Sequence, residues 1–374
     1  LTRPLWELYV IEGLDNFEGC PPNSFALYFK VHHAAMDEFT AQELMQSLHL
    51  HSPDYRHHGR AQQKVAYLEA KAPTNTQMIA LGMVNNTLRS ARLAVQLATN
   101  WSTLGRVAAG LAIRMTRRAI DGESVTGTPT TRFAAPLTQS RVFEGGFYPR
   151  SLLESYAAEV RGATVGHAVL AICGEAMRSY LASFGEASEE PLQAMLAVNV
   201  RNAGAHALIG NHIAVSQVPL HTDLDFPIQR LQAICATHPE LSNVEADELT
   251  SFRLRSLYEN LPAPLLAWLG RTANRENSVH RGVLSAGNCG VSGMIGSDKP
   301  LYMLGARLIG FTGIQPLFSG CGLMFTSSTY CDQIGLTFVS DKTKLPDPLV
   351  MRRCVDEAVA QVERYLRDSK NKTA

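Results

Sequence analysis

The stretch FALYFKVHHAAMDE occupies residues 25–38 and joins a strand pattern to a pair of histidines. Its first seven residues alternate large apolar side chains with others, and this period of two predicts a β-strand. His32 and His33 follow at the predicted end of the strand, where consecutive side chains point to opposite sides, so only one imidazole can face a given cavity. A neutral imidazole can take a proton from a hydroxyl as that hydroxyl attacks an acyl carbonyl. The pattern therefore indicates acyl transfer.

Asp37 follows His33 by four residues and supplies a carboxylate that can hold the loop in place. Arg201 could pair with this carboxylate across the fold, or it could instead only cap a surface strand. The string by itself leaves a second interpretation open, because two adjacent histidines can also be ordinary packed or surface residues.

The composition is that of a folded protein with more than one core. The chain has 374 residues, of which 45% are hydrophobic and 18% are charged. A chain of this length exceeds what one hydrophobic core usually supports, so we expect two domains. The formal net charge is zero. No excess of positive charge therefore favours nucleic acid as a partner, and no motif for its recognition is present.

The seven cysteines are scattered along the chain and show no CxxC pair or His-Cys spacing of the kind that binds zinc. An odd, dispersed set of thiols predicts a reduced, cytoplasmic protein without a bound metal. The visible start shows no secretory signal pattern, and no uninterrupted apolar stretch is long enough to span a bilayer.

Residues 70–120 contain no acidic residue, and the apolar residues and alanines among them favour helices. Basic amphipathic helices with a tryptophan, here Trp101, can lie on an anionic membrane surface. Two other interpretations stay open: ordinary helices packed between domains with their arginines in water, or cations that attract the phosphates of CoA. The basic residues are Lys71, Arg89, Arg92, Arg106, Arg114, Arg117 and Arg118.

The second half of the chain alternates helix and strand patterns. The helical stretches repeat apolar residues at spacings of three and four, and the strand stretches are rich in branched residues. Together they predict mixed α/β packing in two layers. The predicted helices cover residues 151–160, 164–184 and 348–367, and the predicted strands cover residues 194–200, 213–220 and 334–340.

Local signals predict where one helix begins and where the domains divide. Ser151 is a candidate N-cap, and Glu154 follows it at the spacing of a capping box.

The sequence changes to alternating helix and strand patterns near Gly145 and Gly146, so we expect a domain boundary there. The predicted domains are residues 1–145, with a helical basic linker at about residues 62–120, and residues 146–374.

RPLWELYVIEGL at residues 3–14 precedes the strand and the histidines. This order resembles the approach to the HHxxxDG active-site motif of the bacterial wax ester synthase/acyl-CoA:diacylglycerol acyltransferase family, within the chloramphenicol-acetyltransferase-like superfamily of CoA-dependent acyltransferases. The resemblance covers nearly the whole chain apart from a divergent middle. Further similar stretches are GATVGHAVLAICGEAMRSYL at 162–181, PLQAMLAVNVR at 191–201, GNHIA at 210–214, KPLYMLGARL at 299–308 and the tail at 320–348.

The resemblance implies a fold and roles for the motif residues. The implied α/β fold has two chloramphenicol-acetyltransferase-like domains, each a mostly mixed sheet flanked by helices, with a tunnel at their interface. His33 would be the general base that deprotonates the acceptor alcohol inside this tunnel. Asp37 would be the structural aspartate of the motif, and His32 would be a packing neighbour. Acyl-CoA would be a substrate, and no cofactor would be required.

The resemblance also implies partners and a location. The expected partners are acyl-CoA and a lipid alcohol, and nucleic acid is not among them. The resemblance implies a cytoplasmic protein that associates peripherally with the inner membrane face or with lipid droplets. The family has an additional segment before the RPLWE stretch, and this chain starts without methionine. If such a segment exists on another fragment, it is a candidate partner of this chain.

Three motifs depart from the family pattern. Glu38 stands where the HHxxxDG motif ends in glycine, and this bulky residue is expected to reshape a left-handed turn. Gly166 and His167 replace an Asn-Asp pair at a helix start. In SGMIGS, at residues 292–297, Gly293 takes the position of an asparagine. Glu38, Gly166 and His167 are therefore candidates for altered substrate contacts.

Three more polar residues are candidates for substrate contacts. Asn211 in GNHIA matches a family position, although Gly-Asn after a strand is also a common turn. Ser327 and Ser328 follow a strand-like segment and could donate a hydrogen bond to a tetrahedral oxyanion, as superfamily members use a hydroxyl for this. The alternative for both serines is an ordinary hydroxyl on an edge strand.

The sequence leaves three functional hypotheses. The first is an acyl-CoA-dependent O-acyltransferase that esterifies a fatty alcohol or a diacylglycerol by direct attack, with His33 as base. The second keeps acyl transfer but moves it to a specialised acceptor or to a carrier-protein donor. The third is a catalytically reduced family member that binds lipid or a partner without turnover.

Overall fold

The structure is a computed structural model of the chain. It describes residues 4–16, 19–33, 35–54, 73–121, 128–199, 213–239, 241, 260–273, 287–318 and 320–373. In chain order these residues form β1 (Trp6–Ile11), β2 (Ala26–Val31), α1 (Glu38–Ser47), α2 (Asn75–Asp121), β3 (Arg141–Pro149), α3 (Arg150–Ala158), α4 (Val165–Ser183), β4 (Gln193–Asn199), β5 (Ile213–Pro219), α5 (Pro227–Thr237), α6 (Ala263–Ala273), β6 (Cys289–Ile295), β7 (Tyr302–Met303), β8 (Ala306–Arg307), β9 (Leu323–Tyr330), β10 (Gln333–Asp341) and α7 (Pro348–Thr373).

Six strands form one mixed sheet in the order β3-β10-β9-β6-β4-β5. The pairs β3/β10, β10/β9 and β4/β5 are antiparallel. In the centre, β6 lies between β9 and β4 and runs parallel to both. The carboxyl ends of these three strands therefore meet at one edge of the sheet, and this edge positions the candidate site. The α/β class predicted from the sequence is confirmed.

The main hydrophobic core lies between one face of the sheet and four helices, α3, α4, α5 and α7. Helix α4 is the centre of this layer and is buried along most of its length. A helix that is apolar almost all round is stable only when it is covered on several sides, as α4 is by its neighbours. On the other face of the sheet a smaller buried cluster contains Met195, Cys321, Met324 and Val339.

Near the start of the chain, β1 and β2 form a separate two-stranded antiparallel ribbon. Strand β2 confirms the strand predicted before the histidines. Several apolar side chains of β1 are exposed, including Trp6 and Val10. A two-stranded ribbon is marginally stable by itself in water, so its connection to the rest of the fold through α1 is important.

Most of the segment without acidic residues lies in a single helix, α2, of 47 residues. No proline lies between Asn75 and Asp121 to interrupt it. The helix prediction for this segment is therefore confirmed in the form of one continuous helix. The side chain of Trp101 lies outside the described residues.

The remaining element predictions are confirmed with small shifts of their ends, as shown by β4, β5, β10, α4 and α7. The predicted cap of α3 is wrong. Ser151 lies inside the helix, and its N-cap is Pro149, which has no capping side chain. The reason is that β3 continues directly into α3, where the amide of Arg150 donates to the carbonyl of Asp332 at 2.8 Å. Glu154 instead accepts a hydrogen bond from the Arg150 side chain at 2.7 Å.

Gly145 and Gly146, which marked the predicted domain boundary, lie inside β3 opposite Thr337 and Leu336 of β10. A β-carbon at Gly145 would collide with the backbone of Thr337, and one at Gly146 would collide with the guanidinium of Arg352. The two glycines therefore allow close packing within the sheet and beneath α7. The division into two domains stays a prediction.

Candidate active site

The two histidines lie in the tight connection between β2 and α1. The amide of His32 donates to the carbonyl of Leu5 at 2.7 Å, which extends the pairing of the ribbon by one residue. The carbonyl of His32 in turn accepts from the amide of Ala35 at 2.8 Å, so the chain turns at this point. The His32 side chain is exposed, whereas that of His33 is half-buried. Of the two imidazoles, His33 is thus the one that the fold partly shields from water.

Asp37 closes the histidine loop by capping α1. Its carboxylate accepts hydrogen bonds from the amide and the hydroxyl of Thr40, each at 3.0 Å. Only 1% of Asp37 is exposed. An N-cap aspartate satisfies one of the amide groups that a helix leaves without an acceptor and contributes about 1 kcal/mol to stability. The aspartate therefore fixes the point at which the loop ends and the helix begins.

Glu38 is the first residue of α1. Its backbone is therefore right-handed and helical, a conformation that any L residue adopts without strain. The expected distortion of a left-handed turn at this position is not found.

Helix α1 connects the histidine loop to the edge of the main sheet. The side-chain amide of Gln42 donates to the backbone carbonyl of Ile295, the last residue of β6. Gln46, one turn later, directs its amide to the same oxygen at 3.5 Å. Just beyond the helix, Leu50 and Tyr302 exchange two backbone hydrogen bonds of 2.8 Å. The helix that follows the His33 loop is thus held at the carboxyl end of a central parallel strand.

Ser327 lies close to this edge on β9. It pairs with Gly293 of β6, and a β-carbon on that glycine would lie 3.6 Å from the Ser327 hydroxyl. Two residues further along the same strand pair, Thr329 lies opposite Ile295, whose carbonyl accepts the hydrogen bond from α1. A side chain at position 293 would therefore contact the Ser327 hydroxyl, and the glycine leaves that contact unmade.

The two candidate serines differ in what their hydroxyls do. Ser327 is half-buried and donates to the carbonyl of Ser292 at 3.4 Å, which is long for a hydroxyl hydrogen bond. Ser328 is 1% exposed and donates to the carbonyl of Phe311 at 2.6 Å. A hydroxyl has one proton to donate, so Ser328 already uses its proton in the fold. Ser327 is the better candidate donor to a substrate oxygen.

Gly166 and His167 lie in the first turn of α4 and contribute to its packing. The Nδ1 atom of His167 accepts from the amide of Thr164 at 2.9 Å, which completes a capping box. Its Nε2 atom lies 2.8 Å from the carbonyl of His238, so the hydrogen-bond network assigns the proton to Nε2. At Gly166, a β-carbon would come within 3.0 Å of Leu241. These contacts give both residues a structural role, and their predicted role in substrate binding stays a prediction.

Some residues of the site were predicted from the sequence and others were not. Asn211 and Arg201 lie outside the described residues. Gln42 and Gln46 were not among the candidates, because a glutamine pair four residues apart on a surface helix is common. The only local signal for them was their position on the helix that follows the histidine loop.

All seven cysteines are free thiols. Burial raises the pKa of Cys321 to about 12, so this thiol stays protonated at neutral pH and is a poor nucleophile. Among the described residues, no group of three or more His, Cys, Asp or Glu side chains is arranged to hold a metal ion. In the same part of the chain, no helix combines the length and apolar character needed to cross a membrane.

Two family models match the chain. The wax ester synthase/diacylglycerol acyltransferase catalytic domain matches residues 1–159, and the WS/DGAT C-terminal domain matches residues 209–363. The chain belongs to the wax ester synthase/diacylglycerol acyltransferase family. This confirms the resemblance noted in the sequence.

Individual relatives agree with this assignment. A Mycobacterium tuberculosis (strain H37Rv) protein assigned by name to the diacylglycerol O-acyltransferases is 29% identical over 343 residues, which cover 90% of this chain and 64% of the relative. The O-acyltransferase WSD of Acinetobacter baylyi is 23% identical over 352 residues, covering 92% of this chain and 70% of that protein. The chain thus spans about two thirds of the length of these relatives.

A solved structure supports the fold. The wax ester synthase/diacylglycerol acyltransferase from Marinobacter aquaeolei VT8 superimposes with a TM-score of 0.58 at 22% sequence identity. The match covers 97% of this chain and 72% of that structure. At this level of identity the comparison establishes a shared architecture.

Proposed function

We propose that this protein is an acyl-CoA-dependent O-acyltransferase that esterifies a lipid-like alcohol, either a fatty alcohol or a diacylglycerol. The observation that carries the proposal is the half-buried His33 in a loop closed by the buried N-cap Asp37. The helix that follows this loop, α1, is held against the carbonyl of Ile295, next to the strand that carries Ser327. A base and a hydroxyl donor on two separately folded elements are the groups that direct acyl transfer requires.

In the proposed reaction, a ring nitrogen of His33 takes the proton of the acceptor hydroxyl while the hydroxyl oxygen attacks the thioester carbonyl. The carbon–sulfur bond then breaks, and His33 returns the proton to the departing thiolate of CoA. Acyl-CoA is a substrate in this scheme, no acyl-enzyme forms, and no cofactor takes part.

Ser327 is proposed to stabilise the tetrahedral intermediate. Its long hydrogen bond to Ser292 can be exchanged for one to the oxyanion at small cost, because the new bond is to a charged acceptor. Removal of a donor of this kind usually lowers kcat by about a hundredfold or more.

The proposed acceptor also bears on where the protein works. Fatty alcohols and diacylglycerols reside in membranes and lipid droplets, so we include peripheral association of a cytoplasmic protein with such a surface. Support for this part comes from α2, whose only acidic residue is its last, Asp121, and whose first half exposes several apolar side chains.

Release of free thiol from palmitoyl-CoA, measured with and without hexadecanol or diacylglycerol, tests the proposal. The unaltered protein should release thiol only when an alcohol is present. His33→Ala should lower this rate by about a hundredfold or more, the usual contribution of a general base. His32→Ala is the matched control, because it removes the adjacent, exposed imidazole and should keep most of the activity.

The outcomes separate the hypotheses. Equal losses of activity in both histidine variants would contradict the proposed role of His33 as the general base. Thiol release that does not depend on alcohol would indicate hydrolysis. Absence of release with every acceptor, in protein shown to be folded by circular dichroism, would favour a lipid-binding family member without turnover.

A further inference from the structure

The β1–β2 ribbon has one apolar face. Residues that pair directly across an antiparallel ribbon lie on the same side of it, and three pairs bring large apolar side chains to this side. No charged residue interrupts them. The pairs are Trp6 with Val31, Leu8 with Phe29, and Val10 with Leu27, and we call the surface that they form the apolar ribbon face.

The other face of the ribbon is polar and makes its own contacts. Lys30 pairs with Glu7 at 3.2 Å, and the hydroxyl of Tyr9 donates to the same carboxylate at 2.9 Å. The rings of Tyr9 and Tyr28 stack with their centroids 5.9 Å apart. These groups are compatible with water, so the apolar ribbon face is the one whose burial stabilises the protein or a complex.

The apolar ribbon face ends next to the proposed base. Val31 is the last residue of β2, and the hydrogen bond from the amide of His32 to the carbonyl of Leu5 continues the ribbon by one residue. Successive side chains alternate between the two faces, so His32 falls on the polar side and is exposed, whereas His33 falls on the apolar side and is half-buried. A hydrocarbon chain along this face therefore has its reacting end at His33.

The roles of His33 and Ser327 indicate which substrate this chain belongs to. In the proposed reaction the hydroxyl of the acceptor alcohol contacts His33, whereas the carbonyl oxygen of the thioester is directed to Ser327 on β9 of the main sheet. The alcohol is thus the substrate whose chain starts beside His33. The face carries no cation for the phosphates of CoA, which agrees with this assignment.

The dimensions of the face fit one long alkyl chain. Leu27 precedes His33 by six residues, which corresponds to about 20 Å at about 3.3 Å per strand residue. An alkyl chain of a membrane lipid spans roughly 15 Å, half the hydrocarbon thickness of a bilayer. Two strands about 5 Å apart form one groove between their two rows of side chains. Such a groove accommodates the single chain of a fatty alcohol and not the two chains of a diacylglycerol.

We propose that the apolar ribbon face binds the alkyl chain of a long-chain fatty alcohol, with the hydroxyl at His33 and the end of the chain near Val10 and Leu27. The inference rests on the proposed function and deepens it by choosing between its two acceptors. Removal of each methylene group from water contributes to binding, so affinity rises with chain length until the chain reaches the end of the face.

Acyl transfer from palmitoyl-CoA to butanol, octanol, dodecanol and hexadecanol tests the proposal on the full chain. Each additional pair of methylene groups should raise kcat/KM about fourfold, since the face covers one side of the alkyl chain. Hexadecanol should exceed a diacylglycerol by about tenfold or more, because the second chain of the diacylglycerol has no place on the face. A kcat/KM that does not change with chain length, or a preference for the diacylglycerol, would overturn the inference.

Val10 and Ile11 provide a matched pair of substitutions. They are adjacent β-branched residues of β1, they are 60% and 45% exposed, and they lie on opposite faces. Val10→Asp places a carboxylate beside the end of a long chain and should lower kcat/KM for hexadecanol about tenfold, with a loss that shrinks as the alcohol is shortened. Ile11→Asp places the same charge on the polar face and should leave the chain-length series unchanged. Equal losses in the two variants would overturn the inference.

Val10→Thr keeps the shape and the strand preference of valine, so it controls for folding. It adds one hydroxyl to the apolar ribbon face and should lower kcat/KM for hexadecanol about threefold. Circular dichroism establishes whether each variant is folded. If Val10→Asp unfolds the protein while Ile11→Asp does not, and Val10→Thr leaves the chain-length series unchanged, the face is covered by protein and the inference is wrong.

Binding measured without turnover separates this inference from the proposed function. Displacement of pyrene-labelled decanol by dodecanol reports binding of the alkyl chain, which should weaken about tenfold in Val10→Asp and stay unchanged in Ile11→Asp. This result in a protein that transfers no acyl group would support the face and contradict only the proposed function. Acyl transfer that is unaffected by Val10→Asp would contradict only the inference.

Light scattering tests whether a second copy occupies the face. We expect the same oligomeric state for the unaltered protein and for Val10→Asp. A dimer that Val10→Asp dissociates, with an unchanged chain-length series, would make a second copy the occupant and overturn the inference.

Discussion

The side-chain amide of Gln42 donates a hydrogen bond to the backbone carbonyl of Ile295, and this contact ties the helix after the histidine loop to a central strand of the sheet. Gln46 directs its amide to the same oxygen at 3.5 Å. Because α1 begins directly after Asp37, the position of the helix on the sheet also determines how far His33 lies from Ser327.

We therefore expect Gln42→Ala, alone and with Gln46→Ala, to lower kcat/KM for acyl transfer about five- to tenfold. The loss of one hydrogen bond of about 1 kcal/mol allows α1 to move relative to the sheet edge. Steady-state kinetics with palmitoyl-CoA and hexadecanol give the measurement.

Gln333 is the matched control for Gln42, because its side chain also donates to a backbone carbonyl, that of Ile309, at 2.6 Å. Gln333→Ala should lower the free energy of unfolding by a similar amount and leave kcat/KM unchanged. If both variants lose stability and neither loses activity, the Gln42 contact is only structural.

Asp37 should act through its capping hydrogen bonds to Thr40. Asp37→Ala removes the cap and should lower the free energy of unfolding by about 1 kcal/mol, with a loss of acyl transfer as the loop loosens. Asn caps helices as well as Asp does, so Asp37→Asn should retain both stability and most of the activity. Urea unfolding and kinetics on the two variants distinguish the effects. An Asn variant as impaired as the Ala variant would mean that the negative charge is required.

Asp341 should make stability depend on pH in the acid range. The residue is fully buried and accepts hydrogen bonds from the amides and hydroxyls of Thr138 and Thr343. Burial opposes ionisation, but these bonds favour the carboxylate more strongly and lower its pKa from 3.8 to about 2. The stabilisation is therefore complete above about pH 4 and is lost as the pH falls through about 2.

The shift corresponds to about 2 kcal/mol at neutral pH. Asp341→Asn should lower the free energy of unfolding by about that amount at pH 7, and its difference from the unaltered protein should shrink between pH 4 and pH 2. Urea unfolding as a function of pH is the measurement, with Asp368→Asn on the exposed side of α7 as control. A difference between Asp341→Asn and the unaltered protein that stays constant down to pH 2 would show that the carboxylate charge is not its source.

The ion pair between Arg230 and Glu175 lies inside the helical layer, where 1% and 4% of the two side chains are exposed. Their nitrogen and oxygen atoms are 2.7 Å apart. Burial lowers the pKa of Arg230 from its usual value, and Glu175 opposes that shift. Arg230→Met leaves a buried carboxylate with fewer partners, so we expect a loss of about 3 kcal/mol in the free energy of unfolding.

A double-mutant cycle with Glu175→Gln checks this prediction, because the combined variant should lose less than the sum of the two single losses. The exposed pair of Arg364 and Glu357 provides the comparison, and Arg364→Met should change stability little. Additive losses at the buried pair would contradict the coupling.

Local patterns in the sequence were sufficient for most of the secondary structure. The alternation before the histidines predicted β2, the apolar spacing predicted α4 and α7, and the absence of proline is consistent with a continuous α2. The sequence pattern predicted the start of α3 wrongly. Ser151 and Glu154 have the spacing of a capping box, but both lie inside the helix. The helix start there is set by β3, which enters it directly at Pro149.

The sequence by itself determined the family, the α/β class and the histidine motif, because strand alternation, helical periodicity and a contiguous motif all depend on neighbours in the chain. Only the tertiary structure decided that α1 meets the end of β6, that Ser327 faces a glycine, and that polar side chains of α2 contact α6 and the residues before it. The first and third of these features depend on contacts between residues more than a hundred positions apart, Gln42 with Ile295 and Asn86 with Ala263, and the second depends on the pairing of two strands in which the partners are 34 positions apart. Such contacts depend on how the helices and strands pack together, so they cannot be predicted from the spacing of residue types along the chain.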